Sequence, residues 1–166
     1  MNDLVVDIAL VFLFVLIGGV FAASEIALVS LRESQVRSLA ERSRAGAKVA
    51  ELTANSNRFL SAVQIGVTLA GFFSASFGAA QIAPQVSPAL EALGLGSGVA
   101  STIAFVGTTV VISYLSLVFG ELVPKRLAMQ SAEGFSLVVA TPLSWIATIM
   151  RPVIWLLGVS TDLVMR

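Results

Sequence analysis

The chain has 166 residues, of which 57% are hydrophobic and 12% are charged, and its mean hydropathy is +0.93. A water-soluble domain carries roughly 25% charged residues, because its surface has to be hydrated. Ten basic and ten acidic residues cancel, so no basic stripe is available to bind nucleic acid. Histidine and cysteine are absent, which excludes thiolate metal sites and removes the commonest general base. We therefore expect a membrane protein that is not an enzyme and whose chemistry depends on oxygen atoms.

Three long uncharged stretches predict membrane-spanning helices, because about 20 mostly apolar residues cross the hydrocarbon core as a helix. They lie between Asp7 and Glu25, between Arg58 and Glu91, and between Glu91 and Glu121. None shows the alternation of a barrel strand, so the predicted fold class is an all-α membrane protein. The predicted spans are residues 4–31, 57–82 and 98–121.

The basic residues predict the orientation of these spans. In a three-span arrangement all ten lie on one side of the membrane, which places the N-terminus outside and the C-terminus in the cytosol. A fourth, kinked span over residues 135–150 is the alternative, but it would place Arg151 and Arg166 outside the cell or within the membrane. Three spans are therefore favoured. The start also lacks the positive region of a cleaved signal peptide.

Polar and interrupted segments fill the rest of the chain. Residues 32–56 predict a cytosolic helical hairpin broken near Gly46, and residues 83–97 predict an outside loop with a short helix. Residues 134–165 predict one or two helices along the cytosolic interface, because prolines interrupt an apolar pattern that carries two tryptophans. The chain ends directly after this segment, as expected of a piece of a longer protein whose cytosolic part is missing.

The second predicted span carries a row of small residues that favours close helix packing. The row consists of Ala62, Gly66, Ala70, Ser74 and Gly78. Beside it lies Gln64, whose amide needs partners and should face protein or a wet cavity. The third span has hydroxyl-bearing residues on one face, which are weak evidence alone because such side chains often bond their own helix. That face consists of Thr109, Ser113, Ser116 and Gly120.

A possible cation site follows the third span. Pro124 has no N–H, so the Gly120 carbonyl is expected to lose its helical partner, and Glu121 places a carboxylate beside it. Broken helices supply ion ligands in this way in transporters. Glu25, near the cytosolic end of the first span, can either join such a site or pair with a basic residue at the interface. Oxygen ligands without sulfur or imidazole suit Mg²⁺ or Ca²⁺, and Na⁺ or H⁺ can share them.

Three segments carry a family resemblance when they are taken together. They are residues 21–28 (FAASEIAL), 57–69 (NRFLSAVQIGVTL) and 119–125 (FGELVPK). In order and spacing they resemble the transmembrane domain of the CorC/CNNM family of Mg²⁺ transporters. The resemblance implies a homodimer in the plasma (inner) membrane, with three spans per subunit and a juxtamembrane helical belt. It also implies Mg²⁺ efflux by alternating access, coupled to Na⁺ entry, and a following pair of cytosolic CBS domains.

The same resemblance implies which residues bind the ion. Ser24, the Gly120 carbonyl and Glu121 are the expected Mg²⁺ ligands, and Thr68 or a backbone carbonyl near it is a weaker candidate. Glu25 matches the motif and is expected either to pair with a basic residue or to handle Na⁺. The alternative function is a membrane anchor and dimerisation module that senses divalent cations for the missing part without transporting them.

Overall fold

A computed structural model of the protein describes residues 2–165. Every element in this part of the chain is a helix, which confirms the all-α fold class. The elements are α1 (Asn2–Ser30), α2 (Glu33–Arg42), α3 (Arg44–Ala54), α4 (Ser56–Gln81), α5 (Ala83–Ala92), α6 (Ser97–Leu117), the π-helical turn π1 (Val118–Leu122), α7 (Val123–Gln130), α8 (Ala132–Ile149) and α9 (Arg151–Val164).

Four helical segments within residues 2–165 are long and apolar enough to cross a membrane, judged by length and composition. They are Asp3–Ser30, Ser56–Gln81, the continuous run Ser97–Gln130 and Ala132–Ile149. The first three correspond to the predicted spans, although the third helix continues well beyond residue 121. The fourth is α8, which belongs to the segment predicted to lie along the interface. The multi-pass character is supported, whereas the number of three crossings and their orientation are not confirmed.

The sequence predicts that both prolines of the C-terminal segment interrupt its helices, but only one of them lies at a break. Pro142 lies inside α8, so the helix continues through it. The ring removes one backbone hydrogen bond, a loss that helices at membrane depth tolerate when neighbouring groups satisfy the freed carbonyl. Pro152 lies in the first turn of α9, where a proline N–H would have no helical partner in any case. The segment is therefore divided once, at Met150.

The chain divides into two compact units. The first comprises the chain up to Val20 together with Gly66–Pro124, and the second comprises Phe21–Ile65 together with the chain from Lys125 onward. The first unit therefore holds the N-terminal part of α1, most of α4, and α5, α6 and π1. The second holds the end of α1, α2 and α3, the start of α4, α7 from Lys125 onward, and α8 and α9.

Small residues allow the helices of the first unit to approach closely. A Cβ on Gly18 of α1 would lie 3.2 Å from the Cβ of Ala70, and one on Gly78 would overlap Ile112 of α6. Ser74 is fully buried, with its Oγ 3.5 Å from the Val11 carbonyl oxygen. Ala70, Ser74 and Gly78 of the predicted row of small residues are thereby confirmed as packing positions in this unit. α5 fills most of the predicted loop 83–97 and is followed by a glycine with a φ of 91°.

The helical hairpin of the second unit consists of α2 and α3, which pack against each other. The break lies at Ser43, whose hydroxyl oxygen accepts a hydrogen bond from the Gly46 N–H at 3.0 Å and so caps α3. α3 also packs on α8. Gln35 of α2 donates a 2.6 Å hydrogen bond to the Glu133 carboxylate at the start of α8, so both helices of the hairpin are attached to this helix.

Candidate functional site

A cavity of about 280 Å³ lies within the first unit. α1, α4 and the end of α6 with π1 form its walls. Glu121 is the only charged residue among the described lining residues, and Ser113 and Ser116 provide two hydroxyl groups. The remaining walls are apolar or small, with glycines on all three sides: Gly18, Gly71 and Gly120. The cavity thus combines one carboxylate with neutral oxygen atoms among helices that have the length and composition of membrane spans.

Glu121 and Gly120 lie in the π-helical turn rather than at a helix end. The sequence predicts that Pro124 opens the helix, but the helix passes through the proline by widening one turn. The Val123 N–H donates to the Val118 carbonyl, five residues back, which is the π-helical pattern. The extra residue in the turn gives room for the proline ring, which otherwise clashes with the carbonyl four residues back. Such π-bulges occur frequently at functional sites.

Two glycines bring α1 against this turn. A Cβ on Gly120 would lie 3.1 Å from the Val15 carbonyl oxygen. A Cβ on Gly19 would lie 2.9 Å from Cγ of Pro124 and 3.1 Å from the Phe119 carbonyl oxygen. Because these neighbours are a ring and backbone atoms, they cannot move aside by a rotamer change. The approach of α1 to π1 therefore depends on the absence of side chains at both positions.

Replacing Gly19 with alanine should push α1 away from π1 and destabilise the protein by about 1–3 kcal/mol, the usual cost of overpacking. The matched control is Gly107→Ala in α6, where an added Cβ meets nothing within 4 Å. That control should gain up to about 1 kcal/mol, because alanine favours helix over glycine. Unfolding of both variants in detergent, followed by circular dichroism, measures the difference. Equal stability of the two variants would contradict the tight contact.

The structure brings some of the predicted ligands together and leaves others elsewhere. Gly120 and Glu121 line one cavity. Thr68 is exposed and does not line it, whereas its neighbour Val67 does. Ser24 is only 2% exposed and belongs to the second unit, next to Ala23 of a small alanine cluster. Gln64, expected to face protein or a wet cavity, is exposed in this single chain.

The α4 wall of the cavity agrees only in part with the sequence prediction, which named Thr68 or a backbone carbonyl near it as the ligand on this helix. It consists of Val67, Gly71 and Ala75, spaced four residues apart, next to the row of small residues that drew attention instead. Their signal is weak, because valine and alanine offer only backbone carbonyls. Within residues 2–165 no three acidic side chains come together as a metal-binding cluster. A cation in this cavity would therefore be coordinated by Glu121, hydroxyl oxygens and backbone carbonyls.

Comparison with known protein families identifies the domain. The model of the cyclin M transmembrane N-terminal domain (CNNM) matches residues 8–166, which is nearly the whole chain. The chain belongs to the CNNM family. This confirms the resemblance drawn from the three motifs, of which the third, residues 119–125, contains the residues that α1 contacts through Gly19.

Curated relatives of this CNNM domain are longer proteins. The UPF0053 protein sll0260 of Synechocystis is 42% identical over 164 residues, covering 97% of this chain and 37% of the relative. The UPF0053 protein YhdP of Bacillus subtilis is 32% identical, and the match covers 98% of this chain and 37% of the relative. A protein named polyamine export protein from Haemophilus influenzae is 28% identical, and the match covers 85% of this chain and 33% of the relative. The chain thus spans about a third of the length of these relatives.

In this CNNM domain Glu25 has a basic partner. Its carboxylate lies 3.7 Å from Nζ of Lys125, and the two side chains are 33% and 29% exposed. The ion pair joins the end of α1 to α7 within the second unit, so pairing with a basic residue, one of the two predicted roles, is observed. Because water still reaches both groups, the pair contributes little stability.

A double-mutant cycle with Glu25→Gln and Lys125→Gln should give a coupling free energy of about 0.2–1 kcal/mol, as for other solvent-screened pairs. The free energy of unfolding of the four proteins, measured in denaturant, provides the value. The coupling should decrease as the salt concentration rises. A salt-independent coupling well above this range would mean that the pair is desolvated and structural.

Proposed function

We propose that this CNNM domain transports a cation across the membrane, and that the cation is Mg²⁺ leaving the cytosol in exchange for Na⁺. The family is associated with transport, which supports the general function. The observation that carries the proposal is the carboxylate of Glu121, which lines a helix-walled cavity together with Ser113 and Ser116. Ionisable groups at membrane depth are costly and mark ion pathways.

The chemistry of the cavity suits a hard cation. Mg²⁺ prefers oxygen ligands and gives up its water reluctantly, so a site must offer several oxygens at once. Glu121 and the Gly120 carbonyl are the proposed ligands on π1, whereas Ser24 and, more weakly, Thr68 stay predicted ligands that are not among the residues lining this cavity. A π-turn can supply ligands, because its widened backbone displaces carbonyls from the regular helical pattern.

The proposed topology has three crossings, with α1, α4 and the α6–π1–α7 run as spans. The N-terminus lies outside, and α8 and α9 lie along the cytosolic interface in a juxtamembrane belt. Within the plasma membrane two copies form a homodimer, and the full-length protein continues into a pair of CBS domains in the cytosol. Alternating access would then move the three spans about the Glu121 cavity.

Polyamine export is a second candidate, because relatives in Haemophilus influenzae and Salmonella typhimurium are named polyamine export proteins. Ammonium groups also bind carboxylates and carbonyl oxygens. A polyamine, however, carries several separated charges, and the cavity presents one carboxylate among its described lining residues. This feature favours the compact cation over the extended one.

Flux measurements in proteoliposomes test the proposal. Liposomes loaded with a Mg²⁺-sensitive dye report Mg²⁺ movement with and without an opposing Na⁺ gradient, and radiolabelled putrescine replaces Mg²⁺ in a parallel series. We expect Mg²⁺ flux that rises with the Na⁺ gradient. Mg²⁺ binding without any flux would assign the domain to the cation-sensing anchor instead. Putrescine flux without Mg²⁺ flux would assign it to polyamine export.

A further inference from the structure

Another pocket, of about 520 Å³ and lined by charged and apolar side chains, lies in the second unit between the start of α4 and α9. Two arginines from different helices line it: Arg58 in the first turn of α4 and Arg151 at the start of α9. α9 adds Trp155 and Leu157 as an apolar wall and Asp162 as the one acidic group among the described lining residues. The proposed transport cavity and its residues play no part in this pocket.

Both arginines have hydrogen-bonding capacity left. Nη2 of Arg58 donates to the Ala147 carbonyl and to Oγ1 of Thr148, each at 3.2 Å, but its Nε is buried without a partner within residues 2–165. Leaving a buried donor unpaired costs about 1–3 kcal/mol, more when the group is charged. The Arg151 side chain has no ion pair or hydrogen bond to any part of the chain that the structure describes. An acceptor in the pocket would give the Arg151 guanidinium a partner and would add to the bonds of Arg58.

The position of the pocket indicates which acceptor is available. α4 is a candidate span that begins at Ser56, so its first turn lies where the helix leaves the hydrocarbon core. Trp155 is largely exposed beside it, as is typical of residues at the membrane–water interface. The pocket therefore lies at the level of lipid headgroups, and its apolar wall is at the level where acyl chains begin.

We propose that this pocket binds the phosphodiester of an anionic phospholipid. Arg58 and Arg151 bind the phosphate oxygens, and the acyl chains run along Trp155 and Leu157. Basic pockets beside transmembrane helices recognise anionic headgroups in this way. Two arginines and Asp162 give the pocket a net charge of +1, which matches a lipid with one negative charge, such as phosphatidylglycerol.

Tryptophan quenching tests the proposal on the whole chain. The protein has two tryptophans, so Trp145→Phe leaves Trp155 as the only reporter. In mixed micelles, phosphatidylglycerol with brominated acyl chains should quench Trp155 at lower concentration than brominated phosphatidylcholine does. An exposed interfacial arginine contributes about 1 kcal/mol to anionic lipid binding, which corresponds to about a fivefold preference.

Three substitutions in this background localise the effect. Arg151→Gln should weaken phosphatidylglycerol binding about fivefold. Arg44→Gln, an exposed arginine on α3 away from the pocket, is the matched charge control and should leave binding unchanged. Asp162→Asn removes the negative charge and should strengthen binding. Arg58 is left intact because it also attaches α4 to α8.

Equal quenching by the two brominated lipids would overturn the proposal, as would an equal loss in Arg151→Gln and Arg44→Gln. A competition series distinguishes lipid from free phosphate. If inorganic phosphate displaces brominated phosphatidylglycerol as well as unlabelled phosphatidylglycerol does, the pocket binds soluble phosphate and the lipid assignment is wrong. These readouts do not depend on ion flux, so they test lipid binding separately from the proposed transport function.

Discussion

Replacing Glu121 with glutamine should abolish cation transport and weaken Mg²⁺ binding by at least about a hundredfold. Substitution of groups that only support a metal ligand already costs 10- to 100-fold, and Glu121 would be a direct ligand. Glutamine keeps the size of the side chain and one carbonyl oxygen but removes the charge, so the cavity loses the only carboxylate among its described lining residues. Isothermal titration with Mg²⁺ and the proteoliposome flux assay measure the two effects.

The matched control for this substitution is Glu91→Gln. Glu91 is an exposed acidic residue of α5, in the same unit but outside the cavity. Its variant should bind and transport Mg²⁺ as the unmodified protein does. Circular dichroism and thermal unfolding establish that Glu121→Gln still folds, because Glu121 also interacts with the rest of the chain. A folded Glu121→Gln protein that transports Mg²⁺ at the original rate would refute the proposed role of this carboxylate.

Replacing Gly46 with alanine should destabilise the protein by about 3 kcal/mol or more, which is the upper end of overpacking costs. A Cβ at this position would overlap the Leu39 carbonyl group and come 2.9 Å from the Ala40 nitrogen. Both belong to the backbone of α2, so the hairpin can relieve the overlap only by separating its helices. That movement also disturbs the contacts of the hairpin with α8.

Gly134→Ala in α8 is the control, since an added Cβ there meets nothing within 4 Å. It should be neutral or stabilising by up to about 1 kcal/mol. Denaturant titration of the two variants, with limited proteolysis between α2 and α3 as a local readout, measures the difference. A Gly46→Ala protein as stable as Gly134→Ala would mean that α2 and α3 do not approach as closely as described.

Several features of the fold and of the candidate site could be predicted from short stretches of the sequence. Long uncharged stretches predicted the helices of the first three candidate spans, because hydropathy and helix length depend only on neighbouring residues. The motif around Gly120, Glu121 and Pro124 predicted a candidate cation site at the end of the third span, and this prediction also depended only on neighbouring residues. Family membership also followed from short motifs. Each of these signals is contained within a few turns of one helix.

Other features depend on segments that are distant in the sequence. Nothing in residues 118–124 by themselves shows that α1 packs against the π-turn, because that contact depends on Gly19 and Gly120 letting two backbones approach. The α4 wall of the cavity consists of residues without functional side chains, which become relevant only when three helices surround one space. Likewise, Arg58 and Arg151 form one pocket only because α9 lies beside the start of α4.

The sequence by itself determined that this is an all-helical CNNM domain with membrane-spanning helices and with its acidic motif at the end of the third. Hydrophobicity, helix period and motif spacing are local properties, and they required no knowledge of contacts. Only the tertiary structure decided that the acidic residue lies on a widened turn in a three-helix cavity and that Pro142 leaves α8 intact. The cavity depends on which backbones approach each other, and in the first unit that approach is set by contacts of small residues between helices far apart in the chain.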